Sequence, residues 1–103
     1  MNNHYDLSKS AKADLEDIWN YSENRWGRHQ ADKYYRAIIR CIVDLSTKKK
    51  TGKPFSERPK YFKIRQEHHY IFYILSDNER LFVSRILHES MDLPSRLDEA
   101  VMA

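Results

Sequence analysis

Cysteine is nearly missing from this chain. Cys41 stands alone, so no internal disulfide is available, which suits a reducing compartment. No apolar run approaches the length needed to cross a bilayer, so no membrane association is expected. The first residues, Met1-Asn2-Asn3-His4-Tyr5-Asp6, lack the basic start and apolar block of a secretory signal, and a cytoplasmic location is the expectation. Glycine occurs only at Gly27 and Gly52, with no glycine-rich phosphate loop, so no cofactor is implied. No nucleophile motif is evident. His4 and His29 have no companions at ligand spacing. His68 and His69 are adjacent and would point to opposite faces of a strand, so no metal is expected.

What remains is a basic, aromatic-rich chain of 103 residues, the size of one domain spanning 1–103 with a modest core. Tyr, Trp, Phe, Ile and Leu recur throughout, which excludes disorder. The net charge of +3 hides a segregation. Between Lys48 and Arg65 the cations Lys48, Lys49, Lys50, Lys53, Arg58, Lys60, Lys63 and Arg65 face a single acid, Glu57, so that window carries +7 and the remainder −4. A segregated basic segment suits an acidic partner, nucleic acid or protein, although a solvated loop would look the same.

Two helices come first. Tyr5-Asp6-Leu7 is short and fits an added edge strand, and Ser8 or Ser10 offers an N-cap. Ala11, Leu15, Ile18, Trp19, Ser22 and Trp26 follow at spacings of three and four, one helical stripe, with both tryptophans read as core. Gly27 can take the left-handed conformation that ends a helix. The second helix is expected from about 28 to 47, with Ala31, Tyr34, Tyr35, Ile38, Cys41, Ile42 and Leu45 as its stripe. So short a link makes the two helices antiparallel neighbours.

After a loop at Lys50-Thr51-Gly52-Lys53-Pro54 the period changes to that of strands. From Tyr61 to Arg65, Tyr61, Lys63 and Arg65 face one way and Phe62 and Ile64 the other. Turns at Glu67-His68-His69 and Ser76-Asp77-Asn78-Glu79 separate this strand from Tyr70–Leu75 and from Leu81–His88, which gives an antiparallel meander. Pro94 to Leu97 fits a short helical tail. The fold class is α+β: an N-terminal antiparallel helical hairpin packed on a small, mainly antiparallel β-sheet. The last strands are apolar on both faces, and one hairpin covers only one of them. A partner polypeptide is therefore expected on the other, against Tyr70, Phe72 and Ile74.

The ordered set Leu7-Ser8, Ala11, Asp14-Leu15, Ile18-Trp19, Tyr21, Trp26-Gly27, Gln30-Ala31, Tyr34, Gly52, Phe62–Arg65, His69-Tyr70-Ile71-Phe72-Tyr73 and Arg85-Ile86-Leu87-His88 with Met91-Asp92 resembles the ParE branch of the RelE/ParE toxin superfamily over roughly residues 5–97. The resemblance implies the toxin of a type II toxin–antitoxin pair, acting on DNA gyrase and neutralised by a cognate antitoxin that wraps it with an extended, partly helical segment. Target contacts are expected, on charge, at Lys48, Lys49, Lys50, Lys63 and Arg65.

The RelE branch implies a different activity, ribosome-dependent cleavage of messenger RNA. That reaction needs a base for the 2′-hydroxyl, cations for the pentavalent phosphate and an acid for the leaving oxygen. Arg65, Arg85 and His88, with Tyr73 or Tyr70, are the residues that would fill those roles. The chain has no tyrosine after Tyr73, and His88 belongs to the Arg-Ile-Leu-His pattern of the ParE branch. Arg85 and His88 are therefore read as structural, tying the sheet end to Asp92 or a helix terminus, and no catalytic residue is assigned. A third reading, a basic nucleic-acid-binding module, lacks the aromatic platform motifs of a dedicated binder, so no specific nucleic-acid binding is expected.

Overall fold

A computed structural model describes residues 5–91 and residue 93. Strand β1 (Tyr5–Leu7) leads into helices α1 (Lys9–Trp26) and α2 (Arg28–Ser46), followed by β2 (Lys53–Pro54), β3 (Phe62–Gln66), β4 (His69–Leu75) and β5 (Leu81–His88). The sheet order is β1-β5-β4-β3-β2. β1 runs parallel to β5, and every other pairing is antiparallel. The expected tail at Pro94–Leu97, and Asp92, lie outside the described residues.

Ser8 starts α1. Its backbone is extended, and its Oγ accepts from the Ala11 N–H at 2.9 Å. Gly27 joins the helices alone, at φ +91°, donating its N–H to the Glu23 carbonyl and receiving the Ala31 N–H on its own carbonyl. A side chain would be strained at that φ, which is why glycine stands there. The Trp19 indole Nε1 donates to Asp32 Oδ1 at 2.9 Å and clamps the hairpin near this joint.

The helical stripes meet the sheet as their spacing requires. Ala11, Leu15 and Ile18 of α1 and Ile38, Cys41, Ile42 and Leu45 of α2 pack on Ile71, Tyr73, Leu81, Val83 and Ile86. Phe62 and Ile64 border this core, the faces expected of them. Ile38, Ile42 and Ile71 are wholly buried, and each contributes roughly 1.5–3 kcal/mol over an exposed position.

Three expectations need correcting. Trp26 is not core: it is 60% exposed, because α1 carries its last residue beyond the sheet, and Trp19 is half-buried with its indole nitrogen spent on Asp32. Tyr35, on the predicted stripe, also lies at the surface. Most consequential, the sheet face opposite the helices is not bare. The segment between β2 and β3 folds back over it, and Phe55 and Tyr61 bury against Phe72 and Leu87, with Tyr70, Ile74 and Leu93 half-buried around them. Phe72 is fully enclosed, its ring edge-on to Phe55 with centroids 5.1 Å apart.

Candidate interaction surface

The basic segment begins where α2 ends. The Lys49 and Lys50 amides both donate to the Asp44 carbonyl, at 2.8 and 3.1 Å, so the chain turns tightly off the helix. Lys48, at φ +65°, pairs with Glu79 in the β4–β5 turn, and its ammonium holds the Glu79 carboxyl below the usual range. Lys49, Lys50 and Lys53 are exposed and form no ion pair among the described residues. Gly52 follows. Its N–H donates to the Tyr73 hydroxyl at 2.8 Å, and a Cβ there would sit 2.6 Å from the Lys63 carbonyl and 2.8 Å from that hydroxyl. Only glycine allows this approach, and the loop hangs from a core strand by one phenol.

Lys53 and Lys63 are direct cross-strand partners, a like-charge pair that costs stability unless something else holds it. Aromatic faces do so. Lys63 Nζ lies 5.0 Å from the ring centroids of both Phe55 and Tyr70, and Lys60 Nζ lies 5.7 Å from that of Tyr61. Lys63 is thus half-buried between rings. Arg65 shares its strand face but is engaged differently: Nη2 meets Glu89 Oε1 at 2.6 Å and Nε donates to the Glu67 carbonyl at 2.7 Å. Of the five residues expected to meet a target, Lys49 and Lys50 have no side-chain partner among the described residues; Lys48, Lys63 and Arg65 are engaged within the fold.

The four residues of the nuclease reading do not converge. Tyr73 points to the helix side, stacked on Phe62 at 5.5 Å and bonded to Gly52; burial pushes its phenol up from 10.0. Arg85 meets Asp14 of α1 in a bidentate pair, Nε to Oδ2 at 2.8 Å and Nη2 to Oδ1 at 2.9 Å, with both side chains near nine-tenths buried. The same Asp14 carboxylate accepts the Ile86 N–H at 2.9 Å. A bulge at this point, where Phe72 pairs with Arg85 and Tyr73 with Val83, leaves Ser84 over. The Ser84 carbonyl accepts the Ser8 hydroxyl. Arg85 therefore ties sheet to helix, as expected of it in kind, but the partner is Asp14.

Arg65 and His88 both stand at the far end of the sheet, where each acts on the Glu89 carboxylate. His88 Nδ1 accepts the Ser90 N–H at 3.1 Å, which places its proton on Nε2. His68 Nδ1 lies 3.0 Å from Glu89 Oε2, and His68 and Arg65 together hold the Glu89 carboxyl below its ordinary value. His69 turns the other way, its Nδ1 2.7 Å from the Tyr34 hydroxyl, which also donates to the Gln66 carbonyl. Burial, then the neighbouring His88 and His68, lower His69 to about 4, and burial raises Tyr34 to about 12. Both groups stay neutral in ordinary buffers. Sequence reasoning missed Asp14 and Glu89, the acids that commit the two arginines, because a partner across the fold leaves no mark of spacing.

Comparison with known proteins extends this picture. Residues 5–93 match the family model described as the ParE toxin of the type II toxin–antitoxin system parDE. The toxin ParE1 of Mycobacterium tuberculosis is 35% identical over 98 residues, covering 94% of this chain and all of that one. ParE1 of Caulobacter vibrioides is 38% identical over 94 residues, covering 90% and 96%. Among solved structures, one titled as the chromosomal ParDE toxin–antitoxin system of P. aeruginosa superposes with a TM-score of 0.72 at 19% identity, over 84% of this chain and 98% of that one, so the backbone arrangement is shared where the sequences have diverged. A helical hairpin on a five-stranded sheet, with a model match over nearly its whole length and relatives above one-third identity, makes this chain a member of the ParE toxin family of type II toxin–antitoxin systems.

Proposed function

We propose that this toxin acts in the cytoplasm by binding, arresting DNA gyrase without covalent chemistry of its own, and that a cognate antitoxin neutralises it by covering the toxin surface. One observation carries the choice of binding over RNA cleavage. The groups that would serve a nuclease are committed to the fold: Arg85 to Asp14, Arg65 to Glu89, Tyr73 to Gly52 and His88 to Ser90. A phosphoryl-transfer site needs cations and a base converging on one point, and Tyr73 and Arg85 are held away from the other two.

The target contact falls on Lys48, Lys49 and Lys50, where exposed ammonium groups stand on a short, well-anchored turn, with Lys63 and Arg65 behind them along β3. The antitoxin contact is assigned to the half-buried Tyr70 and Ile74, with Phe72 supporting them from beneath. Purified toxin added to a gyrase supercoiling reaction is expected to block it, and a translating extract is expected to keep its messages intact. Cleaved message with undisturbed supercoiling would reverse the assignment. Changing Lys49 and Lys50 to Glu is expected to abolish inhibition with the fold retained; full inhibition by that variant would move the contact elsewhere.

A further inference from the structure

At the opposite end of β4 from the lysines, the joint between the helices and the β3–β4 turn frames an open cleft of about 440 Å³. Ser22 and Trp26 of α1, Gln30 and Tyr34 of α2, and Glu67 and His68 of the turn line it. The volume lies within the range of small-ligand sites, roughly 300–1,000 Å³. Nothing proposed above uses it.

Its chemistry is one-sided. Two walls are aromatic, Trp26 and Tyr34. The Tyr34 hydroxyl is already engaged by Gln66 and His69, so it offers only its ring. His68 is turned onto Glu89. What remains is one charge, the Glu67 carboxylate, which forms no ion pair among the described residues, beside two groups that can donate or accept, the Gln30 amide and the Ser22 hydroxyl. Ser22 is only 4% exposed, yet its hydroxyl has no hydrogen-bond partner among the described residues. It keeps its place by facing the cavity, since no wholly enclosed polar atom is left unsatisfied.

These walls sort the possible occupants. An anion would meet the Glu67 carboxylate. A wholly apolar group would strip water from a carboxylate and a hydroxyl and return no bond. A cation meets both needs. A planar one also stacks on the rings, with in-plane donors for several acceptors at once, which an ammonium cannot supply. The protein already shows that Trp26 takes such a group: its own Arg25 guanidinium carbon lies 5.5 Å from the Trp26 ring centroid and 5.6 Å from that of Tyr21. Tyr21 and Trp26, 59% and 60% exposed, form an aromatic rim beside that Arg25 guanidinium, on which residues flanking a bound side chain would rest.

We propose that this cavity is a receptor for an arginine side chain presented by a partner polypeptide: Trp26 and Tyr34 receive the guanidinium plane, Glu67 its charge, and Ser22 and Gln30 its remaining N–H groups. The site is independent of the gyrase assignment.

The test is a titration of the intact chain, followed by amide and indole NMR signals, with N-acetyl-arginine N-methylamide as the probe. Saturable shifts are expected at the Trp26 indole N–H and at Ser22, Gln30 and His68. The citrulline analogue, equal in shape but uncharged, is expected to bind at least about tenfold more weakly, and so is the arginine probe to Glu67→Gln, whose remaining spectrum stays in place. Trp26→Leu, a surface change, is expected to weaken binding comparably. Free L-arginine, whose α-ammonium and α-carboxylate replace the capped amides that would rest on the aromatic rim, is expected to bind more weakly than the capped probe. Equal binding of the citrulline analogue, undiminished binding by Glu67→Gln, or shifts outside the cavity would overturn the site; tighter binding of free arginine would overturn its assignment to a polypeptide.

Discussion

The two faces of the sheet are built on different plans. On one, helices placed by a 3.6-residue period press side chains from Ala11 to Leu45 into β4 and β5. On the other, a loop with no periodicity brings just Phe55 and Tyr61 over Phe72 and Leu87. The first core is held by many interlocking contacts, and losing any one disturbs the whole. The second is a lid, fixed by the Gly52–Tyr73 bond, by the Phe55 N–H donating to the Tyr61 carbonyl at 2.9 Å, and by two rings. Damage to the lid should loosen one segment before it unfolds the molecule.

Five changes test that contrast, from the largest effect to the smallest. Asp14→Ala removes the carboxylate that pairs with a guanidinium 13% exposed and accepts the Ile86 N–H, and is expected to lower unfolding free energy by about 3–5 kcal/mol in urea titrations. Phe55→Ala empties the lid; a loss of about 2–3 kcal/mol is expected because the loop can partly collapse. That variant is also expected to become protease-sensitive between 52 and 61 while the helices keep their amide protection, and uniform loss of protection would erase the distinction between the faces. Gly52→Ala forces a methyl against the Lys63 carbonyl, with an expected cost of about 1–3 kcal/mol, confined to the lid by hydrogen exchange.

The fourth test is pH. His69 stays neutral down to about 4, whereas an unfolded chain protonates it near 6.5. Between those values the unfolded state binds the extra proton, so stability is fully present above about pH 6.5 and falls as pH drops toward 4. His69→Gln should flatten that slope in denaturation midpoints measured across the window. Last, Glu79→Gln, which breaks the exposed pair with Lys48, is expected to leave the denaturation midpoint where it is, because water and salt screen both groups.

The helix-facing core was legible in the sequence because its residues recur at fixed spacing. Leu15, Ile18, Ile38, Ile42 and Leu45 all bury as their period requires, Gly27 breaks the helices at positive φ, and Phe62 and Ile64 face inward. The lid was illegible. Phe55 and Tyr61 stand singly in a polar, lysine-rich stretch, and β2 is two residues long, too short to show a period. Trp26 misled for a related reason: it continues the stripe of α1, but periodicity does not reveal where the sheet beneath a helix stops. For the candidate surface, the charge segregation could be read directly. The pairing of Arg65 with Glu89 and of Arg85 with Asp14 spans 24 and 71 positions and appears only in three dimensions.

Asp14 and Ser8 do one thing more. Beyond Leu7 no strand flanks this side of β5 among the described residues, yet the Ser84 carbonyl and the Ile86 N–H on that margin are already taken by side chains from the first helix and its N-cap. A foreign strand approaching from this side finds that donor and that acceptor already engaged, so the margin is a poorer template for growth into a larger sheet. On the opposite margin β2 pairs only with Phe62 and Lys63, so among the described residues the outer side of β3 from Ile64 onward has no strand beside it.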